Sequence, residues 1–168
     1  MTFDLQIPTL ASLERGGRLA VLGIGNELNG DDAAGPLVAR GMAQKLADRE
    51  SQGGSRSAHI YIADVGPSPE SFTGPLRRFA PDLVVLVDAA ELGEPPGTVR
   101  SFDWSAAEGL SASTHTLPPS MLARFLINEL GCRVMLVGIQ PKSLEFDTPV
   151  SEDVRRAVER VVEAFFQG

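Results

Sequence analysis

The sequence predicts an α/β protein: a three-layer, mainly parallel, five-stranded twisted sheet with helices on both faces and one antiparallel edge strand. Three observations carry that expectation. Short apolar runs recur along the chain, at residues 19–24 (LAVLGI), 83–87 (LVVLV) and 133–137 (RVMLV). The middle run has no polar alternation, which is the pattern of a strand covered on both faces. Stretches of helical periodicity separate and follow these runs, and strands alternating with helices pack as a parallel sheet between two helix layers.

Each element has its own signal. Residues 1–17 form a polar leader ending in Gly16-Gly17, expected as a loose N-terminal arm, and residues 18–168 form one domain. Strand one is Leu19 to Ile24. A helix follows from about Ala33 to Ala47, with Val38, Met42 and Leu46 along one face and Pro36 tolerated in its first turn. The stretch DRESQGGSRS at 48–57 reads as a polar loop. Strand two is His59 to Ala63, ending at Asp64. A short helix lies within Pro67 to Phe79, with Ser68 as its cap.

Strand three is Asp82 to Val87, followed by a turn at 91–96. Thr98 to Phe102 alternates and follows too closely for a helical crossover, so it is assigned to an antiparallel edge. Residues 104–116 read as a Ser/Thr-rich loop. A helix over Pro118 to Leu130 turns Leu122, Phe125 and Leu126 inward and stops at Gly131. Strand five is Arg133 to Val137, and a long loop runs from Gly138 to Pro149. The last helix has the fullest signal. Ser151 caps it, Glu152 and Asp153 occupy the first turn, and Val154, Ala157, Val158, Val161, Val162 and Phe165 form one stripe.

The bulk properties exclude several classes. A chain of 168 residues is the size of one domain and hides enough surface to fold without staples. The single cysteine, Cys132, rules out an internal disulfide and fits a reducing cytoplasm; it is expected to be packed rather than reactive. No apolar run approaches a membrane span, and the N-terminus lacks a secretory pattern. A net charge of −7 argues against nucleic acid, whose phosphates require clustered Lys and Arg.

Ligands in such a fold sit at the carboxyl ends of the strands. Asp31 and Asp32 follow strand one, Asp64 ends strand two, Asp88 ends strand three, and His115 lies in the loop before the helix at Pro118 to Leu130. Two carboxylates and an imidazole make a ligand set for zinc, nickel or manganese with coordination positions left open. Each also has an ordinary reading. The acid pair can cap a helix, Asp64 and Asp88 can close turns, and His115 can lie on the surface. Asn26 is expected to tie its loop by side-chain bonds or to adopt a left-handed backbone.

The order of motifs resembles the hydrogenase maturation proteases, the endopeptidases that process the large subunit of nickel–iron hydrogenases. The similarity begins with Gly23-Ile-Gly25-Asn26 and Gly30-Asp31-Asp32-Ala-Ala-Gly35. It continues through Asp64 with Gly66, LVVLVDA at 83–89, Thr114-His115 and Gly138-Ile-Gln140-Pro141, and covers about Arg18 to Phe166. Val65 and Thr116 depart from the family's usual residues without touching the acids or the histidine. The resemblance implies a phosphorylase/hydrolase-like fold. It implies Asp32, Asp88 and His115 as metal-contacting residues, with Asp64 as a further acid needed for activity. It also implies nickel supplied by the substrate, no tightly bound organic cofactor, and a hydrogenase large-subunit precursor as partner. A cytoplasmic monomer without membrane insertion is expected.

Other readings fit less of the chain. A dinucleotide site would need glycine where Leu28 stands, and the acid pair would repel a pyrophosphate. A receiver-like phosphoacceptor domain would use Asp31, Asp32 and Asp88 but expects a lysine before the proline that follows the last strand, where Gln140-Pro141-Lys142 occurs, and leaves His115 without a task. A peptidyl-tRNA hydrolase needs an early histidine and a basic surface, and the chain has neither.

Overall fold

A computed structural model of the chain describes residues 6–10, 16–54, 59–103, 111–112 and 119–167. The strands are β1 (Leu19–Ile24), β2 (Ile60–Gly66), β3 (Leu83–Glu91), β4 (Val99–Asp103), β5 (Ser111–Ala112) and β6 (Arg133–Ile139). The helices are α1 (Ala34–Ser51), α2 (Thr73–Phe79), α3 (Pro119–Leu130) and α4 (Glu152–Phe166). The main sheet runs in the order β2-β1-β3-β6-β4. β1, β2, β3 and β6 are parallel, and β4 pairs antiparallel with β6 at the edge, as the spacing after strand three requires. β5 adds a two-residue antiparallel pairing to the end of β3.

The apolar runs are continuous because alternate residues feed two cores. Leu19 and Val21 of β1, with Val85 and Val87 of β3, join Val38 and Met42 of α1 and Val154, Ala157, Val161 and Phe165 of α4. Ala20, Leu22, Val84 and Leu86 join Leu76 of α2 and Leu122 and Leu126 of α3 on the other face. Burying each of the Leu, Val, Met and Phe side chains among these stabilises the fold by about 1.5–3 kcal/mol. Ile7 is buried in the first core with Leu10 against it, so the leader touches the domain at a described point.

Several details differ from the sequence expectations. α1 continues to Ser51 into the stretch read as a loop, β2 and β3 run past Asp64 and Asp88 to Gly66 and Glu91, and β6 reaches Ile139. α1 starts at Ala34 because a 3₁₀ turn over Gly30–Ala33 precedes it. The short helix before β3 is split into a 3₁₀ turn at Pro69–Phe72 and α2, and Ser68 makes no side-chain cap. The stretch read as a loop from Trp104 to Thr116 contains β5. Phe125, expected inward, is 42% exposed, while Leu122 and Leu126 one turn apart are buried. Ser151 does cap α4, its hydroxyl accepting the Val154 amide.

Candidate active site

The carboxyl edge of the sheet is shaped by close backbone approach. A Cβ at Gly25, whose φ is +152°, would lie 1.9 Å from the Asp32 carbonyl oxygen. A Cβ at Gly35 would lie 2.2 Å from the Ile24 carbonyl oxygen and 2.4 Å from that of Val87. Only glycine lets the start of α1 settle between the ends of β1 and β3. The 3₁₀ turn carrying both acids is thereby held against β3, whose next residue after Val87 is Asp88.

The adjacent acids are both buried, at 1% exposure each, yet they face different partners. Asp31 Oδ2 accepts the Lys142 amide at 2.8 Å, the Ser143 amide at 3.3 Å and the Ser151 hydroxyl at 2.8 Å. Its Oδ1 accepts the Ser151 amide at 2.7 Å. Asp31 therefore ties the loop after β6 and the start of α4 to the loop after β1. Asp32 turns back on its own loop, where Oδ2 accepts the Asn26 amide at 2.9 Å. Asn26 Oδ1 in turn accepts the Leu28 amide at 3.0 Å, the side-chain tie expected of it.

Asp88 is 2% exposed. It alternates with Val87, which belongs to the α1 and α4 core, and so faces the α2 and α3 side of the sheet. Asp64 lies opposite Gly23 in the register and on the α1 side, where Arg40 donates to it at 2.9 Å. Arg40 also pairs with Glu27. The structure thus places Asp32 and Asp88 in neighbouring segments at the β1–β3 crevice and sets Asp64 on the opposite face of the sheet. His115 lies outside the described residues. Among the described residues, no three His, Cys, Asp or Glu side chains converge as a metal-binding group.

The family model for hydrogenase maturation proteases matches residues 37–167 of this chain. The chain belongs to that family.

Relatives of this maturation protease agree with the match. The hydrogenase 3 maturation protease of Escherichia coli K12 is 32% identical over 142 residues, covering 84% of each chain. The crystal structure of a [NiFe] hydrogenase maturation protease from Thermococcus kodakarensis KOD1 superimposes with a TM-score of 0.73 at 34% identity, covering 88% of each chain. The solution structure of an E. coli endopeptidase of the same type gives a TM-score of 0.73 at 29% identity, again covering 88% of each chain. The protein is accordingly a peptide-bond hydrolase built on the maturation-protease fold.

Two features of the maturation protease escaped the reading by residue type. Gln140 is 5% exposed, and its Oε1 accepts the Leu92 amide at 2.7 Å while its Nε2 reaches both oxygens of Glu91 at 3.2 Å. It joins the end of β6 to the turn after β3, two residues beyond the level of Asp88. Its only sequence signal was its place in the Gly138-Ile-Gln140-Pro141 motif. The Arg40–Asp64–Glu27 cluster had none, because no helical or strand spacing links those positions.

Proposed function

We propose that this protease removes the C-terminal extension of a nickel–iron hydrogenase large-subunit precursor after nickel insertion, recognising the nickel that the precursor carries. The observation that supports this reading is the division of labour among the buried acids. Asp31, Asp32 and Asp88 are the buried carboxylates among the described residues. Asp31 is fully engaged in tying loops. Asp32 and Asp88 are then the two acids assigned to the metal, with His115 as the third donor. Asp32 and Asp88 lie in neighbouring segments at the carboxyl edge of the sheet, and two carboxylates placed there suit a positively charged guest.

Two carboxylate oxygens and an imidazole hold nickel weakly beside a site that includes thiolates. Weak affinity has a consequence for selectivity. A tightly held resident metal would let the protease act on immature precursors, whereas a seat filled only by the precursor's own nickel makes cleavage report maturation. Asp32, Asp88 and His115 would hold the precursor's nickel, which would there supply Lewis acidity toward the scissile carbonyl or an attacking water. The general base is Asp32 or Asp64, the latter fixed by Arg40. The partner is the large-subunit precursor, met in the cytoplasm by a monomer that needs no organic cofactor. Among the described residues no helix is long and apolar enough to cross a membrane.

The test is incubation of the purified protein with large-subunit precursors loaded with nickel or free of it, read by intact mass. The expected result is loss of the C-terminal fragment from the nickel-loaded form alone. Equal cleavage of both forms removes the nickel requirement, and no cleavage of either removes the function.

A further inference from the structure

Two loops meet beside the acid pair, and both present apolar side chains to solvent. Leu28 is 62% exposed and Phe146 is 73% exposed, with Leu144 at 36%. The Asp147 amide donates to the Leu28 carbonyl at 2.8 Å, so the loop after β1 and the loop after β6 run side by side at these residues. A single exposed leucine needs no explanation, but apolar side chains gathered on adjoining segments mark an interaction surface.

The display is held rigidly. Asp31 anchors the second loop through the amides of Lys142, Ser143 and Ser151. The Thr148 hydroxyl donates to the Glu145 carbonyl at 2.7 Å, and the Ser143 hydroxyl accepts the Glu145 amide at 3.2 Å. The first loop is fixed by Asn26. Side chains held in place before binding lose less freedom when a partner arrives.

We infer that Leu28, Leu144 and Phe146 form the docking surface for the precursor segment beside the scissile bond, an apolar stretch that carries positive charge. This rests on the reading of the chain as a precursor-processing protease. Continuity argues for that occupant. The Leu28 amide is bound by Asn26, and the Asn26 amide is bound by Asp32, so Leu28 belongs to the same hydrogen-bonded loop as the acid assigned to the reaction. Charge argues for its composition. Glu145 and Asp147 flank Phe146, both are exposed, and neither takes part in an ion pair among the described residues. An apolar side chain set between unpaired carboxylates fits a segment that combines an apolar anchor with Lys or Arg.

The experiment compares wild type with Leu28→Ser, Phe146→Ser and the double variant Glu145→Gln/Asp147→Asn. The substrate is the large-subunit precursor encoded in the same genome. Processing of the nickel-loaded form gives kcat and KM, and titration of the nickel-free form gives binding without turnover. The serine variants should raise KM and weaken nickel-free binding by about tenfold each, with kcat and thermal unfolding unchanged. The charge variant should flatten the salt dependence of binding. If wild type cuts the loaded precursor while all variants bind the nickel-free form equally, the docking surface is refuted and the protease reading survives. If wild type neither binds nor cuts, the protease reading fails and the docking surface with it. A wild-type dimer that Phe146→Ser dissociates in sedimentation assigns the apolar face to a second copy and overturns the inference.

Discussion

Asp31 grips Ser151 with both carboxylate oxygens, the amide at 2.7 Å and the hydroxyl at 2.8 Å, across 120 residues of sequence. Ser151 also caps α4, its hydroxyl accepting the Val154 amide at 3.4 Å. One buried acid thus fixes the first residue before the last helix and, through Lys142 and Ser143, the loop that leads to it.

Replacing Asp31 by Asn should therefore act on stability first. The amide group of Asn would oppose at least one of the converging N–H donors, leaving a buried donor unpaired at a cost of about 1–3 kcal/mol. Ser151→Ala should cost about 1 kcal/mol through the lost cap, plus its bond to Asp31. Urea unfolding of both single variants and the double variant is the check. The two effects should fall short of adding, because they share a hydrogen bond.

Gly35→Ala should destabilise by about 3 kcal/mol or more, beyond ordinary overpacking, because its Cβ would enter two backbone carbonyls that cannot rotate away. Gly74, in α2, is the control. The nearest atom to a Cβ there is Arg78 Nη1 at 3.8 Å, so Gly74→Ala should leave stability unchanged or raise it by up to about 1 kcal/mol. Thermal unfolding midpoints that fail to separate the two variants would remove the account of the β1–β3 crevice.

Asp88→Asn and His115→Ala should each reduce processing of nickel-loaded precursor by more than about 100-fold, as loss of the metal contact proposed for each should exceed the effect of losing an outer partner. Thermal unfolding should stay near wild type. Normal cutting by both variants would disprove their assignment to the metal.

Burial raises the Cys132 thiol pKa above its ordinary value of 9.0, and a backbone hydrogen bond only partly offsets this. A thiol whose folded pKa is raised keeps its proton in the native state while the unfolded chain loses it. Its contribution to stability is full below the unfolded value and is lost as pH climbs from about 9 through the folded value. Urea midpoints should show a steeper alkaline decline in wild type than in Cys132→Ala. Alkylation of the native thiol should be slow until the protein unfolds.

Phe125 and the acid pair show where a one-dimensional reading reaches its limit. Leu122, Phe125 and Leu126 share a helical stripe by spacing, yet Leu122 and Leu126 meet the second core while Phe125 stays largely exposed. Periodicity ranks the positions on a helix face, and the width of the neighbouring sheet decides how far round that face the cover extends. The edge strand β4 was readable because its distance from β3 admits no crossover. β5 was not, since two residues carry no periodicity.

By itself, the sequence determined the layers and their order, because apolar runs of strand length and the Val154-to-Phe165 stripe leave few ways to hide their surface. It also placed the acids toward the carboxyl edge, since Asp64 and Asp88 fall near the ends of apolar runs and Asp31 and Asp32 lie in the loop after the first. The family resemblance singled out Asp32, but only the tertiary structure gave Asp31 its task. Adjacent residues of identical chemistry were assigned different work by backbone donors more than 100 positions away, Lys142, Ser143 and Ser151, which no local pattern can bring to one side chain. The same holds for Asp64, which the pleat turned toward Arg40 while Asp88 faced the other way.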